Sequence, residues 1–162
     1  MQLYQYSDLS GQFSLEYCHG LSMFGALSDE SLEFLLTHGD IYKLAGNDRI
    51  YSLGDSSDMF FVILSGQARF YHPKTDSDDQ VPLKAYLPGE QLGFVGMIGL
   101  QARHGNAVMQ KEGFVLEISS ALFHELCDIY PEDFKIFMIN VTREMSREIA
   151  QLDNMCGSMQ ST

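Results

Sequence analysis

The side chains with the most chemistry to offer are five histidines, three cysteines and a run of aspartates, and their spacing withholds most of it. His19, His38, His72, His104 and His124 include no HxH pair, and His124-Glu125 lacks the second histidine that completes an HExxH zinc site. Cys18, Cys127 and Cys156 are odd in number and form no CxxC, so neither a disulfide framework nor a cysteine-based zinc site is indicated, and they read as buried or incidental thiols. Asp76, Asp78 and Asp79 crowd the segment Lys74 to Asp79 without the glycine and distal glutamate of an EF-hand loop; this is read as a solvated hairpin tip. No G-x-S-x-G, Cys/His constellation or spaced carboxylate pair is present. The chain is therefore expected to be non-catalytic and to hold no metal.

Charge narrows the partners. Across 162 residues, 10 Lys plus Arg stand against 22 Asp plus Glu, a net charge of −12. Nucleic-acid affinity rests on cations that neutralise phosphates, and this surplus of acid opposes it. With 45% hydrophobic and 20% charged residues the composition is that of a folded domain with a real core. No apolar run approaches the ~18 residues of a membrane span and the start of the chain has no basic, apolar leader, so no membrane contact and a cytoplasmic location are expected.

The elements follow from periodicity. Residues 1–22 lack a clear period but carry Tyr4, Tyr6, Phe13, Leu15 and Tyr17, which predicts an N-terminal arm packed on the domain. Ser28-Asp29-Glu30 starts a short helix with a buried stripe of Leu32, Leu35 and Leu36, and Gly39 stops it. From Asp40 to about Ser119, short runs of Ile, Val, Phe and Tyr alternate with glycine-containing and proline-containing turns, the texture of a sandwich or barrel. The run Phe60 to Leu64 is continuously apolar, as in a strand covered on both faces. A helix over Ala121 to Tyr130 follows, then a second from Pro131 to about Met155, with a short polar tail over 157–162. In the second helix Phe134, Met138, Val141, Met145, Ile149 and Leu152 step by 4, 3, 4, 4 and 3, close to a heptad seam. At 1.5 Å per residue, about 25 residues reach roughly 37 Å, more than one small domain needs. Met138, Val141, Met145, Ile149 and Leu152 are therefore the expected dimer interface, with a protein partner as the other occupant. The expected divisions are an arm at 1–22, a β-roll with flanking helices at 23–130, the dimer helix at 131–156 and the tail.

Three segments in order carry a resemblance: Met23-Phe24-Gly25-Ala26-Leu27-Ser28, then Gly54-Asp55-Ser56-Ser57-Asp58-Met59-Phe60-Phe61-Val62-Ile63-Leu64-Ser65-Gly66, then Pro88-Gly89-Glu90-Gln91-Leu92-Gly93. Together they resemble the opening helix and the two glycine turns of the cyclic nucleotide-binding domain of the catabolite-activator (CRP/FNR-like) type, over about Met23 to Leu152. The resemblance implies a mainly β fold with flanking helices: a double-stranded, jelly-roll-like β-roll of about eight strands and a long C-terminal dimerisation helix. It also implies a phosphate-binding cassette at Gly93, Phe94, Val95, Gly96 and Met97, whose backbone N–H groups would face the cyclic phosphate at a helix N-terminus. The family adds a Glu directly after the glycine, for the ribose hydroxyl, and an Arg about ten residues on, for the phosphate. Here Phe94 stands at the glutamate position, His104 at the arginine position and Arg103 one residue before it.

Each charged hydrogen bond contributes about 1.5–3 kcal/mol, so losing both anchors would move a micromolar ligand to the millimolar range or beyond. Phe94, Val95, Met97 and Ile98 are expected to fill or cap the pocket. Arg103 stands open between anion ligand and exposed loop arginine. Two functions follow: a regulatory module with altered nucleotide recognition that works through dimerisation or a partner, or a cyclic AMP or cyclic GMP sensor using Arg103 and the cassette N–H groups. The helix-turn-helix of related regulators needs two more helices and a basic face, and only about seven residues follow Met155, so direct DNA contact is not expected.

Overall fold

The strand Met59–Ile63 organises the molecule because it is apolar on both faces. Phe60, Val62 and Leu64 belong to one buried cluster, shared with the helices, whereas Phe61 and Ile63 belong to a second, between two sheets. In a strand, alternate residues point to opposite faces, so one continuous apolar run joins two cores.

A computed structural model describes residues 1–74, 77 and 79–160. Thr75, Asp76 and Asp78, and with them the expected acidic hairpin tip, lie outside the described residues, as do residues 161 and 162. Strand β1 (Gln2–Tyr4) and helices α1 (Tyr6–Leu9) and α2 (Leu15–His19) form the arm, followed by a 3-10 turn over Ser22–Phe24 and helix α3 (Asp29–His38). Strands β2 (Asp40–Leu44), β3 (Arg49–Tyr51), β4 (Met59–Ile63), β5 (Gln67–Pro73), β6 (Gln80–Tyr86) and β7 (Gln91–Leu92) lead into helix α4 (Phe94–Ile98). Strands β8 (Asn106–Lys111) and β9 (Gly113–Ser119) return to helices α5 (Ser120–Ile129) and α6 (Pro131–Gln160). A five-stranded sheet in the order β1-β2-β9-β4-β7 faces a four-stranded sheet in the order β3-β8-β5-β6, and the pairings are antiparallel. This is the β-roll with flanking helices.

The arm does more than rest on the roll. β1 extends the five-stranded sheet by pairing with β2, and Leu9, Phe13 and Cys18 enter the helical core. Ser28 caps α3 by accepting from the Ser31 N–H at 3.2 Å, and it also donates its own N–H to Asp133 Oδ1 at 2.6 Å, which ties the start of α3 to the first turn of α6.

Two expectations about α6 change. The helix continues to Gln160, because the lone Gly157 costs only about 1 kcal/mol inside a helix and no proline follows to end it. Its first half, moreover, packs on its own roll: Phe137 and Val141 are fully buried, Met138 and Met145 lie against the same core, and Asn140 Nδ2 donates to the Gly25 carbonyl at 2.8 Å. Val141 has no surface to offer a second chain, since the intramolecular core claims that side of the helix. Ile149 and Leu152 remain open, at 57% and 36% exposure. Among the described residues no helix is long and apolar enough to cross a membrane.

Candidate functional site

The mouth of the roll is bordered by β5 and β6, the short helix α4 and the second half of α6. They enclose a cavity of about 120 Å³ lined by Tyr51, Phe70, His72, Leu83, Lys84, Tyr86, Gln91, Gly93, Val95, Gly96, Arg103, His104, Glu148 and Leu152.

Gly93 sets the geometry of α4. Its φ of +88° is accessible at no steric cost to glycine, and a Cβ there would come within 2.5 Å of Arg103 Nη1. The space this leaves is filled by the Arg103 guanidinium, which is 3% exposed. Nη1 donates to the Gly93 carbonyl at 2.7 Å, Nη2 donates to the Met59 carbonyl, and Cζ lies 4.3 Å over the Tyr51 ring. Nε is buried without a partner, and no ion pair found among the described residues includes this side chain. Burial draws the guanidinium's pKa down, though an arginine remains charged at any ordinary pH. Of the two readings open for Arg103, the exposed loop arginine is thus excluded: Gly93 and Gly96 leave a slot that the side chain fills.

The other cassette residues divide. Val95 and Gly96 line the cavity, as does His104, whose ring lies 5.1 Å from Phe70. Phe94 turns away from it into the aromatic core, 5.2 Å from Phe60 and 5.7 Å from Phe123, and Met97 is buried in the same cluster. Ile98 is 53% exposed and does not line the cavity. The Phe94 N–H, first of the helix, donates to Gln91 Oε1 at 3.2 Å.

Across the cavity sits a polar group that sequence reasoning missed. Tyr86 OH donates to Glu148 Oε1 at 2.6 Å, while Lys84 Nζ lies 3.2 Å from Glu90 Oε1 and 3.9 Å from Glu148 Oε2, and 4.5 Å over the Tyr86 ring. Burial first, and then the Glu148 charge and hydrogen bond, push the Tyr86 phenol well above its usual pKa, and burial pushes Tyr51 up to about 12. A lysine and tyrosine two apart on β6 share one strand face, a signal that was available; Glu148, 62 residues further along, gave none. Among the described residues no group of three His, Cys, Asp or Glu could hold a metal ion.

Comparison with known proteins places this arrangement. A model of the family described as "Cyclic nucleotide-binding domain" matches residues 42–130, more than half of the chain. In structure the chain is similar to a cyclic nucleotide-binding domain from Methylobacillus flagellatus, with TM-score 0.81 and 17% identity over 97% of this chain and 88% of that one. It is also similar to the c-di-GMP responsive global regulator of Xanthomonas campestris, with TM-score 0.73 and 17% identity over 80% of this chain. A third likeness is to the catabolite activator protein of Thermus thermophilus, with TM-score 0.70 and 17% identity over 86% of this chain. The chain spans 63% of each of the two regulators. At such identities these likenesses establish the fold. No curated protein matches the sequence.

Proposed function

The chain belongs to the cyclic nucleotide-binding domain family, and on that premise we propose that it is a non-catalytic regulatory module with altered nucleotide recognition, whose output runs through α6 to a second copy of itself or to a protein partner. One observation carries this reading: the groups that would receive a cyclic nucleotide are engaged by the protein itself. Gln91 accepts the first N–H of α4, the carbonyls of Gly93 and Met59 accept both Nη groups of Arg103, and Glu148 places a carboxylate on the cavity wall. Phe94 replaces the ribose-binding glutamate of the family and lies in the core. The cavity, about 120 Å³, is well below the ~300 Å³ at which sites for drug-sized molecules begin.

Calorimetric titration with cyclic AMP and cyclic GMP is expected to show no saturable binding below about millimolar concentration. A cyclic nucleotide sensor is the second reading, favoured by a buried guanidinium whose Nε has no hydrogen-bond partner. Saturable micromolar binding that Arg103→Ala abolishes would establish it in place of the first.

The output arm has its own test. Ile149 and Leu152 are exposed one turn apart on α6, and Met155 beyond them is half-buried. Apolar side chains at this spacing suit a helix–helix seam. Light scattering at micromolar concentration is expected to give a dimer, and the double substitution Ile149→Asp, Leu152→Asp a monomer that keeps its fold. A monomeric parent chain would remove the seam from the proposal.

A further inference from the structure

We propose that the outward face of α6 pairs with the same face of a second copy in antiparallel orientation, in a register fixed by Arg143 of each chain against the partner's Asp153. The inference rests on the reading that α6 joins two copies, and it names the face, the direction and the register.

Phe137 and Val141 turn one side of α6 to the roll, so the residues on the opposite side of the helix look outward. That outward row is Ile139, Arg143, Ser146, Ala150, Asp153 and Gly157, all exposed and spaced by 4, 3, 4, 3 and 4. It is a second heptad row, behind the one that the roll covers.

The row is symmetric about position 148. Turned end for end, it places Arg143 opposite Asp153, Ser146 opposite Ala150 and Ile139 opposite Gly157, and each pairing occurs twice, as an isologous contact requires. Every pairing is complementary. Arg143 and Asp153 carry opposite charges, and among the described residues neither enters an ion pair or a side-chain hydrogen bond within its own chain. Serine against alanine leaves little bulk between the helices, so their axes can approach to the lower end of the usual range of about 8–10 Å. Ile139, 51% exposed, is a knob for which Gly157 leaves bare backbone, and this gives the glycine inside α6 a packing role. Ile149, 57% exposed, falls beside the two-fold axis and meets its own counterpart there. On the other flank Arg147 approaches its counterpart, each charge already paired with Glu144 of its own chain. Direction follows from charge. A parallel pair in register would set Arg143 against Arg143 and Asp153 against Asp153, two like-charge contacts, whereas the antiparallel pair makes both contacts attractive.

Sedimentation equilibrium of the full chain, at about 0.1 M salt so that screening stays moderate, provides the test. The parent chain is expected to dimerise. Arg143→Asp or Asp153→Arg alone is expected to raise the dissociation constant at least about tenfold, because each turns two attractions into two repulsions. Arg143→Asp and Asp153→Arg in one chain restore both pairs, and the constant is expected to return to within about threefold of the parent value. A mixture of the two single variants is expected to form a heterodimer tighter than either variant makes with itself, since each chain then offers the other the opposite sign. Both positions are exposed, so circular dichroism should show every variant as helical as the parent. A dimer insensitive to both single reversals, as a parallel pair would be, sinks this proposal and leaves α6 standing as the output helix. Weakening by the single reversals that the combined variant does not repair would overturn the register. A parent chain that stays monomeric at micromolar concentration overturns the reading of α6 as a link between two copies, and this proposal with it.

Discussion

Arg103→Ala is expected to destabilise the ligand-free chain by about 2–4 kcal/mol, read as a lowered midpoint in urea. Opposing terms decide the sign. Removing the guanidinium relieves the desolvation of a buried cation, which favours the variant. Against that, the Gly93 and Met59 carbonyls lose their donors from this side chain, at about 1–3 kcal/mol for each that stays buried and unpaired, and the Tyr51 ring loses the cation that lies 4.3 Å above it. The slot beside Gly93 and Gly96 loses the guanidinium that fills it. Amide exchange should speed up in α4 more than in the sheets, because Arg103 ties Gly93, the residue that precedes α4, to β4. A guanidinium held chiefly for a ligand would behave in the opposite way: its removal would leave the ligand-free protein as stable as before, or more so. The measurement therefore separates an arginine that holds the cassette closed from one kept waiting for a phosphate.

That fork was only partly legible in the sequence. Positions were readable where local rules sufficed. Glycine turns in order gave the roll, the apolar run at 60–64 gave a strand covered on both faces, and Ser28 announced the helix it caps. Arg103 and His104 could be placed near the cassette by counting from Gly93. Whether Arg103 faced water or protein depended on the slot at Gly93 and Gly96, which exists only once α4 packs beside β4. The Tyr86, Lys84 and Glu148 group joins β6 to a helix at the far end of the chain, and no periodicity links residues 62 apart. The heptad steps of α6 showed an apolar stripe without saying which surface would cover it; Val141 went to the roll, and Ile149 and Leu152 stayed open.

Phe94→Glu restores the residue type that the family places after the cassette glycine, yet it is expected to cost about 4 kcal/mol or more and to confer no cyclic nucleotide binding. Phe94 is 2% exposed and is one side of an aromatic cluster in which Phe123 lies 5.7 Å from it, 5.0 Å from Phe134 and 6.5 Å from Phe137. Deleting a buried phenylalanine costs about 3–5 kcal/mol, and a carboxylate in its place either stays charged in an apolar core or takes up a proton. Neither form finds a ribose, because the side chain at this position points toward α5 and α6 and away from the cavity. Against a typical stability of about 5–15 kcal/mol, much of the population would unfold at moderate temperature. Phe94→Leu, which keeps the apolar character, should cost far less and serves as the control. Through Phe123, Phe134 and Phe137 the cluster joins Phe94 to both C-terminal helices, so a change at this position is felt in α5 and α6. A stable Phe94→Glu variant with newly gained micromolar affinity for cyclic AMP would show instead that the site lacks only this one side chain for nucleotide binding.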